Sequence, residues 1–400
     1  MRRHNLSAVL RLVHEHGVTS RVQLTDALGL NRSTTGALVS ELASAGLVRE
    51  SPPDADARSG VGRPSLVVRA VPEAACVVAA YVDVHRLQVA LVGLGGAVLG
   101  RRSEHLAHDV PPEVAADRVA DLAVDLVDEV LAAVPAGAVV GIGIAVPGTV
   151  RTLDGSVASA PNLGWVDVDF GRIADVAARD RLGVRVPVAV ANDADLGVVS
   201  ERLRGSARGA SDVVYLCGTY GLGGGIVSGG QRLAGSRGYA GEVGHISVDP
   251  AGRPCRCGSR GCWESETLAG AWADPLGLQP DGEHVSREVL AALALGGVAA
   301  RRTRDKLSRS FARGLATVVT LFNPEVVVLG NGLWRDLWPA VRDDVEPWLS
   351  RLVMPALRDG VDVRLSGLGD DSTILGAAEM AFESLLDDPL RAFPAATLTT

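Results

Sequence analysis

Gly241-Glu242-Val243-Gly244-His245, followed by Cys255-Arg256-Cys257-Gly258-Ser259-Arg260-Gly261-Cys262-Trp263-Glu264, is the stretch on which the reading of this chain turns. One imidazole and three thiols fall within eighteen positions, from His245 to Cys262. Soft and borderline donors at such spacing can close a tetrahedral shell around zinc and leave no position for a catalytic water, as structural sites do. Glu242 stands three residues before His245, and Glu264 two residues after Cys262. A metal folded there would fix both carboxylates at one place. The segment reads as a small-molecule pocket braced by metal; a loop of ordinary reduced thiols is the alternative.

The rest of the composition agrees with that chemistry. The chain has 400 residues, so two or three domains are expected. It is 47% hydrophobic and 22% charged, which suits a globular protein with ample core. Five cysteines, three of them within eight residues, argue against a secreted disulfide framework and for a metal site in a reducing compartment. Met1-Arg2-Arg3-His4-Asn5-Leu6 lacks the apolar core of a signal peptide. No run approaches the ~18 apolar residues of a membrane span. The expected location is cytoplasmic. Net charge is −8 but uneven: residues 1–70 hold nine Arg against six Asp and Glu, and the remainder carries −11. Nucleic acid is therefore to be sought at the front of the chain.

Residues 1–70 contain three short helical patterns. Leu6, Val9, Leu10 and Val13 share a face, with Asn5 as the expected cap and Gly17 as the stop. Leu24, Ala27 and Leu28 form a second face that ends at Gly29. Asn31 caps a third helix with Leu38, Val39 and Leu42 turned inward. The short Gly-Leu-Asn link is the spacing of a helix-turn-helix. The third helix opens Arg32-Ser33-Thr34-Thr35, donors of little bulk at the end that enters a major groove. Strand patterns at Leu47-Val48-Arg49 and Leu66-Val67-Val68 flank a Pro- and Gly-rich tip, forming a wing on which Arg58 and Arg63 reach phosphate or a minor groove. The competing reading is a three-helix protein-binding module with a polar surface. For Ser33 and Thr34, helix capping competes with base contact.

From Val77 onward the pattern is apolar strands, glycine turns and intervening helices, which argues α/β. Val139–Val146 and Val186–Val190 read as buried strands, and the second delivers Asn192-Asp193-Ala194-Asp195 at its C-terminal end, where open α/β sheets bind ligands. Cys76 and Cys217 lie on strand patterns and read as core residues.

Together these motifs resemble the ROK family, which groups sugar-responsive repressors with sugar kinases. The resemblance rests most specifically on the His245-to-Glu264 stretch and covers nearly the whole chain, including the winged front of the repressor branch. It implies a two-lobed actin-like (ribonuclease H-like) α/β domain preceded by a small winged helix-turn-helix. The expected division is 1–70 for the DNA-binding head, 76–193 for a small lobe completed by the C-terminal helix, 194–385 for a large lobe with the zinc loop, and 386–400 for a loose tail. It also implies structural zinc on His245, Cys255, Cys257 and Cys262, and sugar contacts at Asn162, Asn192, Asp193, Glu242, His245 and Glu264. Carboxylates and amides suit the vicinal hydroxyls of a pyranose, although Asn192 and Asp193 equally suit a turn or helix cap.

Kinase and regulator differ at the phosphate loops. In the family's kinases the position of Asp193 holds the base that takes the sugar proton, and it is retained here. The kinases carry Asp-x-Gly-Gly-Thr after the first strand; the matching stretch here is Asp83-Val84-His85-Arg86-Leu87. Tyr220 replaces a kinase threonine in the second loop, while Gly223 to Gly225 survive, glycines that a turn there would need in any case. Two altered phosphate cradles outweigh one retained acid. The expected function is a repressor without catalytic residues that binds operator DNA as a homodimer or homotetramer and responds to a sugar or sugar derivative. An ATP-dependent sugar kinase is the alternative, and a regulator without a small ligand a third reading.

Overall fold

The computed structural model describes residues 1–52, 66–107, 109–131, 139–183, 185–218, 220–279, 285–358 and 361–392. The chain opens with α1 (Arg2–His16), β1 (Val18–Ser20), α2 (Arg21–Leu28), α3 (Arg32–Ser44), β2 (Val48–Ser51) and β3 (Val67–Ala70). The strands form an antiparallel sheet in the order β1-β3-β2 against the three helices, which is a winged helix. Leu6, Val9, Leu10, Val13, Leu24, Leu38, Val39 and Leu42 are buried, as the helical spacing requires. Ala27 is exposed, so the second face rests on Leu24 and, in part, Leu28. Asn5 is not a cap, because α1 already begins at Arg2. Ser20 caps α2 in a reciprocal box with Gln23, and Asn31 caps α3 through the Thr34 amide at 2.8 Å. The positions of Arg58 and Arg63 lie outside the described residues.

A first five-stranded sheet follows: β4 (Cys76–Val82), β5 (Arg86–Gly93), β6 (Ala97–His105), then α4 (Pro112–Leu131) and β7 (Val139–Val146). A side layer of β8 (Thr149–Val150), β9 (Val157–Ala160) and β10 (Trp165–Val168) intervenes before α5 (Phe170–Leu182), β11 (Val188–Asn192) and α6 (Asp193–Arg204). The second sheet uses β12 (Val213–Gly218), β13 (Gly223–Ser228) and β14 (Gln231–Arg232). After the cysteine loop come α7 (Trp263–Thr267), α8 (Ala269–Leu276), α9 (Val285–Leu295) and α10 (Val298–Phe322). Then β15 (Val326–Gly332), α11 (Leu333–Leu352), α12 (Pro355–Arg358) and β16 (Asp362–Leu365) complete that sheet. The last elements are α13 (Ser372–Asp387) and α14 (Pro389–Ala392).

The two sheets run β11-β7-β4-β5-β6 and β14-β13-β12-β15-β16. Numbered within each sheet in chain order, both read 3-2-1-4-5 reversed or forward, with the first three strands antiparallel and the rest parallel to the first. This is the duplicated ribonuclease H-like plan of the two-lobed actin-like fold. β4 and β7 are buried along their full length, so they read as unbroken apolar runs rather than alternating ones. After the second sheet the chain returns: α13 lays Ala377, Ala378, Ala381 and Phe382 into the core of the first lobe and of the winged head.

The expected loose tail of 386–400 is corrected over 386–392 alone; residues 393–400 lie outside the described residues. α13 runs to Asp387 with Leu386 buried, and α14 adds the partly buried Leu390 to the same core. Polar residues among them hid an apolar face that repeats at helical spacing.

Candidate functional site

A cavity of about 600 Å³ lies between the lobes. The carboxyl ends of β4, β7 and β11 supply Tyr81, Asp83, Pro147, Gly148, Asn192 and Asp193, and the β9–β10 turn supplies Asn162. From the second lobe come Cys217, Tyr220 and Gly221, then Glu242, His245, Arg256 and Glu264 of the cysteine loop. All six expected sugar-contact residues therefore line one cavity.

Their hydrogen bonds separate holders from available groups. Asn192 is the N-cap of α6: its Oδ1 accepts from the amides of Ala194 (2.8 Å) and Asp195 (3.1 Å), and its Nδ2 donates to Gly148 O at 2.9 Å. Asp193 Oδ2 accepts from the Tyr81 hydroxyl at 3.0 Å, and Oδ1 accepts the Ala194 amide at 2.9 Å. Burial pushes the Asp193 carboxyl up to about 6; the Tyr81 hydroxyl opposes that and nearby Asp83 adds to it. Asp195, paired with Arg232 at 2.5 Å, is pushed by burial to about 7. Asn162 Oδ1 accepts from Arg256, so the side layer of the first lobe touches the cysteine loop of the second. Glu264 Oε2 accepts the Leu222 amide at 3.0 Å, which anchors this carboxylate to the β12–β13 turn. Burial also raises Glu242. Sequence reasoning missed Tyr81, although strand alternation puts it on the same side of β4 as Asp83; it also missed the Arg256–Asn162 contact, which no local pattern announces.

The cluster beside the cavity fits a metal. The ligand atoms of His245, Cys255, Cys257 and Cys262 lie within 4.8 Å of one another. Cys255 Sγ is 3.6 Å from His245 Nδ1, and Cys257 Sγ is 3.7 Å from Cys262 Sγ. Bonds of roughly 2.3 Å to sulfur and 2.0–2.1 Å to nitrogen set tetrahedral ligands about 3.6–3.8 Å apart. His245 turns Nδ1 toward the cluster and leaves Nε2 facing Glu242 Oε2 at 3.9 Å. A ligating imidazole commonly has its second nitrogen oriented by a carboxylate in this way. The group can hold a metal ion. Cys76 and Cys217 are buried and outside the cluster.

His85 of the β4–β5 turn and Tyr220 of the β12–β13 turn meet edge to face, ring centroids 5.6 Å apart at 84°. Gly223 to Gly225 do not form the turn expected of them. They are the start of β13, where a Cβ on Gly225 would stand 2.2 Å from Ala194 O of α6; close packing, not a turn, requires glycine there.

In the winged head, Arg32 and Ser33 are exposed and Thr34 is half-buried at the start of α3. Thr35 is fully buried, its hydroxyl bonded to Asn31 O (3.2 Å) and to Thr25 Oγ1 (3.2 Å). Thr35 thus leaves the set of residues that face outward: it lies one residue past the open first turn, on the side packed against α2. Ser33 donates to Asn31 Oδ1 at 2.7 Å and so helps cap the helix. Among the described residues no helix is long and apolar enough to cross a membrane.

Fold and site together define a two-lobed actin-like protein with an interlobe pocket, a Cys₃His cluster at its edge and a winged helix in front. Residues 81–384 match the ROK family, and the chain belongs to it. The xylose repressor of Bacillus spizizenii is 26% identical over 386 residues, covering 96% of each chain. The glucokinase of Thermotoga maritima is 32% identical over 262 residues, covering 61% of this chain and 80% of that one. Among solved structures, a ROK family transcriptional regulator described as a homologue of the E. coli MLC protein superposes with a TM-score of 0.78 at 24% identity, covering 98% of each chain.

Proposed function

We propose that this chain is a sugar-responsive transcriptional repressor. The winged head binds operator DNA through Arg32, Ser33 and Thr34, aided by Arg58 and Arg63. Asn162, Asp193, Glu242, His245 and Glu264 bind a sugar or sugar derivative, and Asn192 holds α6 in place for them. The carrying observation is that one cavity brings together Asp193, Glu242 and Glu264 with Asn162 and His245, groups that suit sugar hydroxyls; the edge-to-face contact of His85 with Tyr220, on the two turns that resemble the kinases' phosphate loops, supports a regulator over a kinase. Likeness to a named repressor along 96% of the chain, head included, supports the same reading. The glucokinase likeness spans only 61% of this chain.

The metal of the cluster is zinc, and its role is structural. Three thiolates and one imidazole complete its shell, so it supplies no activated water. It holds the loop that carries Glu242 and Glu264. The functional unit is a homodimer or homotetramer, because winged heads read paired half-sites when symmetry spaces them. Ligand favours one lobe angle, and that angle sets the head spacing.

Calorimetry of the zinc-loaded protein against D-xylose, D-glucose and their phosphates, with a parallel assay of ATP-dependent phosphorylation, tests this. Saturable sugar binding without phosphoryl transfer is expected. Turnover of ATP with any of these sugars would support the kinase, and binding of none would remove the pocket's assigned role.

A further inference from the structure

We propose that α6 is the mechanical link between the pocket and the winged head, and that Arg204 is the residue through which it holds the head. The inference rests on the ligand control proposed above and adds the route.

α6 starts in the cavity and ends at the head. Asn192 caps it and Asp193 is its first residue, both lining the pocket. Eleven residues after Asp193, about 16 Å along a straight helix, Arg204 closes it. The helix is wedged between the lobes. Ala194 and Val198 pack into the core of the second sheet with Val213, Tyr215 and Val328, while Leu196 packs into the core shared by the first sheet, α13 and the head.

Arg204 is only 12% exposed and is spent entirely on fixed partners. Its Nε donates to Glu379 Oε1 of α13 at 2.7 Å, and its Nη1 donates to Gly95 O of the β5–β6 turn at 3.0 Å. Nη2 donates to His14 O at 3.1 Å, a carbonyl in the last turn of α1. His14, itself 1% exposed, completes the node. The Gly95 amide donates to its Nδ1 at 3.0 Å, so the ring proton sits on Nε2, which donates to Glu379 Oε2 at 2.9 Å. Glu379 thus joins a side chain of the head to the end of α6.

α6 and α13 move as one body. Ser200 Oγ donates to Ser372 O at 2.6 Å, and the fully buried Glu201 accepts from Ser372 Oγ (2.8 Å) and the amides of Gly367 (3.1 Å) and Leu368 (3.0 Å). A Cβ on Gly376 would stand 2.0 Å from Leu196 O, so the two backbones touch. A displacement of the Asp193 end caused by ligand or by lobe closure reaches Arg204 without being absorbed on the way. Packed cores and buried hydrogen-bond networks switch between arrangements rather than stretch, so the α1 grip is kept or repacked as a whole. The exposed pairs of Arg11 with Glu383 and Asp387 (2.6 Å each) also join α1 to α13, but exposed pairs are weak and are not in line with α6.

The test uses the full-length, zinc-loaded protein, DNA flanking its own gene, and D-xylose and D-glucose as probes. Arg204→Met keeps the aliphatic stem and removes the guanidinium. It should bind the sugars within about threefold of wild type. The sugar-induced change in operator Kd, roughly 5- to 150-fold for ordinary coupling, should shrink below about twofold. Arg11→Ala should leave that change intact. In wild type, hydrogen exchange at residues 12–17 and 200–206 should alter when sugar is added, a readout that holds even if Arg204→Met folds poorly. Wild-type coupling in Arg204→Met, equal loss in Arg11→Ala, or unchanged exchange at both segments would overturn the route while leaving a sugar-binding repressor standing. If neither sugar binds wild type, the sugar reading fails first and the route falls with it.

Discussion

His85 and Tyr220 come from opposite lobes and meet edge to face with ring centroids 5.6 Å apart, on the two turns that by resemblance correspond to the kinases' phosphate loops. The contact ties the two turns together. If it is what excludes ATP, then His85→Gly, Arg86→Gly and Tyr220→Thr combined should gain ATP binding measurable by calorimetry, at millimolar Kd or better, where wild type shows none. Nucleotide binding by wild type at comparable affinity would contradict this account of the loops.

The cysteine cluster should behave as a bolt for the pocket. Cys262→Ser removes a fully buried thiol of the cluster, and structural zinc binding is folding free energy. Metal content should fall from stoichiometric to near zero, Tm by several degrees, and sugar affinity by about tenfold or more, because losing even a group that merely orients a metal ligand costs about 10- to 100-fold. Cys76→Ser, in the first lobe, should leave metal content unchanged. Elemental analysis and thermal melts check both.

Asp193 carries a cost in the folded state. Its folded pKa, pushed to about 6 by burial despite Tyr81 and with help from Asp83, lies above the ordinary ~3.9. A raised carboxyl contributes stability that is fully present below its unfolded pKa and lost as pH rises through the folded one. Asp193→Asn should therefore raise the Tm of ligand-free protein at pH 8, by roughly 1–3 °C, with the gain shrinking toward pH 5. Sugar binding should weaken at the same time, as expected where a site is kept strained for function. A variant destabilised at pH 8 would show that the carboxylate is not under strain.

Glu201 is the opposite case. Burial alone would raise its pKa, but Ser366, the amides of Ser206 and Leu368, and Ser372 outweigh that and hold it below the ordinary carboxylate value. Its contribution is present above the unfolded pKa and lost as pH falls through the folded one. Glu201→Gln turns an amide NH₂ toward groups that donate, and should cost about 2–4 kcal/mol at pH 7 by denaturant unfolding, with the difference from wild type narrowing in acid.

In the head, Arg32 and Thr35 should part company. Arg32→Ala should weaken specific operator binding by about 1–3 kcal/mol, whereas Thr35→Ser, at a buried position, should leave base preference unchanged. Anisotropy titrations on cognate and scrambled DNA distinguish them.

Much of this was legible before any coordinates. Apolar runs such as Val139–Val146 could only be buried strands, and helix stops at Gly17 and Gly29 follow from local backbone preference. The metal cluster was legible because its ligands are close in sequence. What escaped notice depends on distant packing. Whether Thr35 points out or in is set by α2, and β8 to β10 are too short to announce themselves. The node of His14, Arg204 and Glu379 joins residues 175 to 365 positions apart, which no periodicity reveals.

The central claim is that a sugar in the interlobe cavity controls a DNA reader at the front of the chain. Its most direct test is the operator Kd of the wild-type, zinc-loaded protein on DNA flanking its own gene, measured with and without saturating D-xylose or D-glucose. A shift of at least about fivefold is expected for a sugar that calorimetry shows to bind. A sugar that binds and leaves operator affinity unchanged would contradict it.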